Sequence, residues 1–532
     1  MIVLPHLTTT NGVPGLRTLF VEERSAPWEW LLVSAAVACA LALGFANLGH
    51  PSLWHDELVH VFVGKSIAET GKPLLPSGEV YTSGTAFNYV LGAFIALFGS
   101  GESAVRTPSV LASGLNVALL YLLLRPLIGR GPALVAAFSL ALSPWCVAWS
   151  RQARFYAMQQ SAYLLFALSV LSLWRSMPKR IAIAPAIGLV ASYLLGILSS
   201  FHSILFLPLV CAIAGLGVII DRDMRKRWFA LGVLGVVAGI ATYGTYRLTF
   251  TPLDYTVLTQ TSAVGGNLPG LEENRDHSDR YYYFRFLMNN LSQGYFVLAL
   301  VGFIAMVALE GRRGAFVALA FLAPVLVMTY LIGYRMHRFM YFAYPFYVAA
   351  HAYGTVALLR YVVHSQHSAI RSLSAVFVVL FLCMAGVSTF KLLGDTFETA
   401  SGSDITLARR HPQWRKPCLA VRDRLGEGDA VLCTTYLPSL YYVGRCDEWY
   451  PSRYTWPEAT ESGTPGLAGV AELKEFIKIH PTGYFIAEFA RFDRWDGSYL
   501  DEDVDWVRAN MRLMPALSSE DVSVFYWESF KP

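Results

Sequence analysis

The chain has 532 residues, of which 55% are hydrophobic and only 15% charged, with a mean hydropathy of +0.43. Soluble domains carry nearer a quarter charged residues, so this composition excludes an ordinary water-soluble protein and points to one that crosses a membrane many times. A net charge of +4, dispersed along the chain, gives no footing for a nucleic-acid partner.

Residues 1–27 are mixed polar and read as a cytoplasmic N-terminal segment without a cleavable signal. Long apolar runs follow at 28–48, 106–124, 131–148, 157–173, 181–199, 203–220, 228–246, 292–309, 315–333, 339–359 and 372–393. Each suits a hydrocarbon core of about 30 Å. The stretch GTAFNYVLGAFIALFG at 84–99 is ambiguous, and charge parity decides it. If it does not cross and the N-terminus is cytoplasmic, the inner loops at 125–130, 174–180, 221–227, 310–314 and 360–371 hold 13 Lys and Arg in 37 residues. The outer connections at 149–156, 199–203, 247–291 and 334–338 then hold 8 in 63. Counting 84–99 as a crossing would invert the positive-inside rule. The expected architecture is therefore an α-helical polytopic membrane protein. It has about 11 transmembrane helices over 28–394, and a first outer loop, 49–105, that carries interfacial helices.

From about 395 the pattern changes. AVLCTT, GYFIAEF and DVSVFYW read as strands, while LAGVAELKEFIKI and VDWVRANMRLM have helical spacing. Residues 395–532 are expected to form a small α/β domain outside the membrane, suited to recognition or scaffolding. Cys418, Cys433 and Cys446 leave one disulfide open there, since three thiols cannot all pair.

Chemistry concentrates where the first span ends, at LWHDELVH (53–60). Asp56 and Glu57 start an amphipathic helix. Adjacent residues there point about 100° apart, so usually only one of the two acids faces a given cavity. His60 is four residues from Asp56 and three from Glu57, and can share a face with either. Acids in a helix's first turn also suit its macrodipole. In the outer connections after the first loop the eight cations are all arginines: Arg151, Arg154, Arg247, Arg275, Arg280, Arg285, Arg335 and Arg338. A planar guanidinium fork suits phosphate or carboxylate. Tyr156 follows in SRQARFY, His202 sits in SSFHS, and His337 lies in YRMHRFMYFAYP.

Those segments carry a resemblance. LWHDELVHVFVGKSIAETGKPLLPSG, YTSGTAFNYVLGAFIALFG and ESAVRTPSVLASGLNVALLYLLLRPLIG resemble the first third of GT-C glycosyltransferases. The branch is that of protein O-mannosyltransferases and lipid A aminoarabinose transferases. SRQARFY is similar to a bacterial subgroup, and YRMHRFMYFAYP to a late family segment. The resemblance implies an inverting glycosyltransferase that moves a sugar from a polyprenyl-phosphate donor to a hydroxyl acceptor. Asp56, with Glu57, would be the catalytic acid pair, and Asp56 the base. Arg106, Arg151, Arg154, Arg335 and Arg338 would be donor-phosphate candidates, Arg106 alternatively a structural one. His55, Tyr156, His202 and His337 would contact sugar or acceptor. The chain has YTSGTA where the aminoarabinose transferases have Glu-Lys-Pro-Pro, and ARFYA where the family has an acid after the third span. A divalent cation is left open as cofactor, with no ligand set beyond Asp56 and Glu57. The acceptor is open among glycolipid, polysaccharide and protein. The expected location is a bacterial inner membrane, with the C-terminal domain in the periplasm. Two other readings remain, an O-antigen ligase or polymerase type of transferase using the 250–290 loop, and a lipid or sugar transporter.

Overall fold

The computed structural model describes residues 26–176, 183–249, 281–332, 335–364, 412–450, 469–488 and 501–528, with scattered positions at 376–401 and 463–467. Its membrane part comprises α1 (Pro27–Phe45), α2 (His55–Thr70), α3 (Thr85–Phe98), α4 (Glu102–Ile128), α5 (Arg130–Ala141), α6 (Pro144–Ser150), α7 (Tyr156–Ser176), α8 (Ile183–Ser199), α9 (Leu207–Ile220), α10 (Arg225–Thr249), α11 (Gln293–Glu310), α12 (Arg312–Leu331) and α13 (Tyr344–His364).

Seven helices are long and apolar enough to span, and an eighth span results if α5 and α6, bent by 54°, count as one. Helix α8 is apolar but has only 17 residues. The expected spans at 372–393 and the 250–290 loop fall almost wholly outside the described residues, as do residues 1–25, Arg275 and Arg280. The chain is thus a polytopic membrane protein with seven to eight long apolar helices among the described residues. The bend at α5 and α6 has a local cause. Pro144 has no N–H to continue the helix, and the hydroxyl of Ser143 accepts instead from the Cys146 N–H.

Two polar clusters define the ends of the bundle. Glu29, fully buried at the start of α1, accepts from the Tyr121 hydroxyl at 2.7 Å, Arg125 Nε at 2.9 Å and Arg130 Nη1 at 3.2 Å. At the opposite end, Arg106 in the second turn of α4 donates to the carbonyls of Leu48 and Pro51, just past α1. Helices α1 and α4 are therefore antiparallel. Helices α2 and α3 belong to the Arg106 end. With 14 residues, α3 is too short to cross. It packs against α2 through Gly92, where an added Cβ would lie 2.8 Å from Ile67.

The C-terminal domain has a five-stranded sheet in the order β2-β1-β3-β5-β4. Its strands are β1 (Ala430–Cys433), β2 (Glu448–Trp449), β3 (Thr482–Glu488), β4 (Arg512–Leu513) and β5 (Val522–Glu528). Strand β1 runs parallel to β2 and β3, whereas β5 runs antiparallel to β3 and β4. Helices α14 (Arg415–Arg422), α15 (Tyr436–Tyr442), α16 (Val470–Ile479) and α17 (Asp501–Asn510) accompany the sheet. Cys433 pairs with Cys446, and Cys418 is a buried free thiol.

This domain docks on the Arg106 end and grips the segment 52–53 that leads into α2. The Ser52 hydroxyl donates to the Pro412 carbonyl and accepts from the Trp414 N–H. The Tyr442 hydroxyl accepts from the Leu53 N–H at 2.7 Å and donates to Glu102, which also pairs with Arg415.

Candidate active site

Helix α2 begins immediately after that gripped segment, and its first turn sends the two acids in different directions. Glu57 turns inward and is 1% exposed. Its two oxygens receive Arg106 Nε and Nη2, each at 2.8 Å, and Oε1 also accepts the Ala153 N–H at 2.7 Å. The Trp54 N–H contacts Oε2 at 3.4 Å, an N-terminal capping contact. The remaining Arg106 donors reach the carbonyls of Leu48, Pro51 and Ser52. One carboxylate thus ties α2, α4 and the 151–155 turn together.

Asp56 turns the other way and is 29% exposed. Its Oδ2 pairs with Arg154 Nη1 and lies 3.6 Å from Arg338 Nη1. Arg154 comes from the turn between α6 and α7, and Arg338 from the 3-10 turn His337–Ala343 before α13. The Arg154 guanidinium lies 5.4–5.6 Å from the ring centres of Trp54, Phe155 and Tyr156, and contacts the Tyr156 hydroxyl at 3.4 Å. Such aromatic faces stabilise a desolvated cation. Burial alone would raise the Asp56 pKa, but Arg154, Arg338 and His55 outweigh it and hold the carboxyl well below the usual range.

The other candidate residues divide. His55 and Tyr156 belong to this centre through their electrostatic or direct contact with Asp56 and Arg154. His337 stacks on Phe286 with ring centres 4.8 Å apart, and burial together with Arg338 pushes its pKa down to about 4. His202 stacks on Phe339, next to Arg338, at 4.0 Å.

Three arginines stand elsewhere. Arg106 takes its structural alternative. Arg151 is 6% exposed and donates to the carbonyls of Leu43, Gly44, Ala46 and Asn47, closing the C-terminus of α1. Arg335 donates to the Thr329 carbonyl at the end of α12. Of the five donor-phosphate candidates, these three make other contacts. Backbone carbonyls and Glu57 occupy Arg106 and Arg151, and Arg335 turns to its own helix end. Glu57 likewise faces the protein rather than a substrate.

Reading the sequence did not reveal the role of His60. It is fully buried, with Nδ1 2.6 Å from Asn88 Oδ1, and the rings of Tyr81, Phe87 and Phe155 surround it. Gly84 adopts φ +70 beside it, and an added Cβ there would lie 2.9 Å from the imidazole. His60 therefore pins α2 to the start of α3 rather than serving either acid. Trp54, two residues before Asp56, carried a readable signal, because tryptophan favours membrane boundaries.

Among the described residues, the donor set around Asp56 and Glu57 does not fit a resident divalent cation. Among the described residues no three His, Cys, Asp or Glu side chains converge. Both Glu57 oxygens are occupied, and Asp56 faces two guanidinium groups. A hard cation would need several free oxygen ligands.

Comparison with known proteins follows the same lines. Residues 84–246 match a family model described as dolichyl-phosphate-mannose-protein mannosyltransferase, a match that leaves out the acid pair at 56–57. No curated protein matches the chain in sequence. Among solved structures, the oligosaccharyltransferase AglB from Archaeoglobus fulgidus, in complex with an inhibitory peptide and a dolichol-phosphate, aligns with a TM-score of 0.60. That alignment has 12% identity and covers 95% of this chain and 74% of that one. An Archaeoglobus fulgidus oligosaccharyltransferase in complex with zinc and sulfate aligns at 0.59, with 14% identity over 94% of this chain and 73% of that one. ArnT from Cupriavidus metallidurans, bound to undecaprenyl phosphate, aligns at 0.58, with 13% identity over 94% of this chain and 98% of that one. With near-complete coverage of both chains in the last case, the chain shares its overall fold with that structure.

Proposed function

We propose that the protein is an inverting glycosyltransferase of the outer membrane face. It transfers a sugar from a polyprenyl-phosphate donor to a hydroxyl acceptor carried by a glycolipid, polysaccharide or protein. The observation that carries this reading is the meeting of Asp56 with Arg154 and Arg338, from three distant parts of the chain, on the end of the bundle that bears the soluble domain. A partly exposed carboxylate is placed to take a proton from an attacking hydroxyl, which gives general-base assistance of about 10²–10⁴-fold. As the hydroxyl oxygen bonds to the anomeric carbon, the bond from that carbon to the phosphate oxygen breaks. The lipid phosphate leaves with the electron pair, and Arg154 and Arg338 stabilise the anion. His55, Tyr156, His202 and His337 line the approach for sugar and acceptor. The inner-end cluster of Arg125, Arg130 and Arg175 suits a cytoplasmic face and supports the reading that the soluble domain lies in the periplasm of a bacterial inner membrane.

The test uses membranes that contain wild-type or Asp56→Asn protein, labelled polyprenyl-phosphate sugars, and mass spectrometry of envelope glycolipids and glycoproteins. The substitution is expected to abolish transfer while lipid-phosphate binding persists. Unchanged turnover would remove Asp56 as the base, and accessibility labelling that placed residue 69 in the cytosol would overturn the orientation.

A further inference from the structure

Two ion pairs stand on consecutive residues and differ in kind. Glu57 and Arg106 are sealed, at 1% and 2% side-chain exposure, and every oxygen and nitrogen of the contact is matched. Asp56 is 29% exposed and Arg338 is 24% exposed, so the second pair is open to a solute or a lipid headgroup. It is also poorly matched. A single carboxylate oxygen serves two guanidinium groups. Arg154 Nε and Arg338 Nε are both buried with no hydrogen-bond partner. Arg154 as a whole is 8% exposed. Each guanidinium offers five N–H donors in a fork whose shape fits carboxylate and phosphate alike. The sugar-linked donor, a phosphodiester, has two non-bridging oxygens and the product monoester has three, so either could engage donors that one aspartate oxygen leaves idle.

The geometry points to Asp56 occupying, in the free protein, the anion position between Arg154 and Arg338 that the phosphate of a polyprenyl-phosphate lipid takes on binding. This rests on the donor class proposed above and adds an exchange to it. The phosphate displaces the carboxylate, and the displaced carboxylate is the base. While paired, Asp56 sits well below the usual carboxylate range and is a weak proton acceptor. Without lipid phosphate, neither water nor acceptor meets a competent base. When the product lipid phosphate leaves, Asp56 returns to the guanidinium pair and assists its departure.

The experiment measures undecaprenyl phosphate affinity for the full-length protein in nanodiscs. It compares wild type, Asp56→Asn and Glu69→Gln, an equal change of charge at an exposed position on the same helix. If the carboxylate competes for the site, Asp56→Asn binds at least tenfold more tightly and Glu69→Gln binds like wild type. Equal or weaker binding by Asp56→Asn, or equal tightening by both variants, overturns the exchange and leaves the glycosyltransferase reading intact. No binding by any of the three overturns both. A structure of wild-type protein with the lipid gives a second measurement that does not depend on any variant's folding. The Asp56–Arg338 separation is expected to widen beyond 4 Å, and an unchanged contact with both arginines would refute the exchange.

Discussion

Glu57 meets Arg106 through two parallel contacts of 2.8 Å, one residue away from an acid that faces a partly open site. Breaking a buried pair by removing one partner leaves an uncompensated charge. Arg106→Ala is therefore expected to lower stability by about 3–5 kcal/mol. Arg338→Ala, whose guanidinium is partly exposed, is expected to cost under about 1 kcal/mol. Unfolding in detergent measures both, and equal losses would refute the separation of a structural pair from a functional one.

Arg154→Lys keeps the charge but loses the planar fork and its contact with three rings. Transfer is expected to fall about 10²-fold, the scale of losing one directed donor to a developing anion. Arg151→Lys is expected to lower thermal stability through the end of α1 while the rate per folded molecule stays near wild type. Comparable rate losses in the two variants would argue against placing Arg154, and not Arg151, at the reacting phosphate.

His60 gives a pH signature. Burial, with a further contribution from Arg154, lowers its pKa from 6.5 to about 3 in the folded protein. Between those values the unfolded chain binds a proton that the folded protein does not. Stability from this group is therefore complete above pH 6.5 and declines as the pH falls towards 3. The slope approaches about 1.4 kcal/mol per pH unit for one whole proton. His60→Asn is expected to flatten that part of the profile, and an unchanged slope would show that His60 is not its source.

Helices α11 and α13 touch through glycine. An added Cβ on Gly302 would lie 1.7 Å from the Ala350 carbonyl oxygen, and one on Gly354 would lie 2.3 Å from that of Leu298. In lipid, helix association relies on such close backbone approach. Gly302→Val should separate the helices and lower the unfolding temperature sharply. Gly215→Val, with nothing within 4 Å, should not.

Tyr442→Phe removes the acceptor for the buried Leu53 N–H at the entrance to α2. The expected loss is about 1–3 kcal/mol, the penalty for an unsatisfied buried donor. It should appear as faster proteolytic release of the C-terminal domain, and wild-type release kinetics would count against that grip.

Much of this architecture was legible because its causes are local. Apolar run length marks α1, α4, α7, α9, α10, α11 and α12, and the strands of the tail show in AVLC, TGYFIAE and VSVFYWE. The acid pair was legible as a place. Which acid turns outward was not, because the choice depends on Arg106 and Ala153, 49 and 96 residues away. Arginine chemistry suggested anion binding at five positions, but the carbonyls that occupy Arg151 belong to the end of α1, more than 100 residues earlier. Only tertiary contact separates a helix-capping guanidinium from one left for a ligand.

The distances along the chain have a consequence for how the protein comes into being. Asp56 leaves the ribosome early, but its partners are residues 154 and 338, and the segment before it is held by residues 412 and 442. No nascent fragment that ends before the soluble domain owns a finished centre. Premature termination before residue 412 should therefore yield a membrane-inserted product in which the segment leading to Asp56 lacks the contacts that hold it.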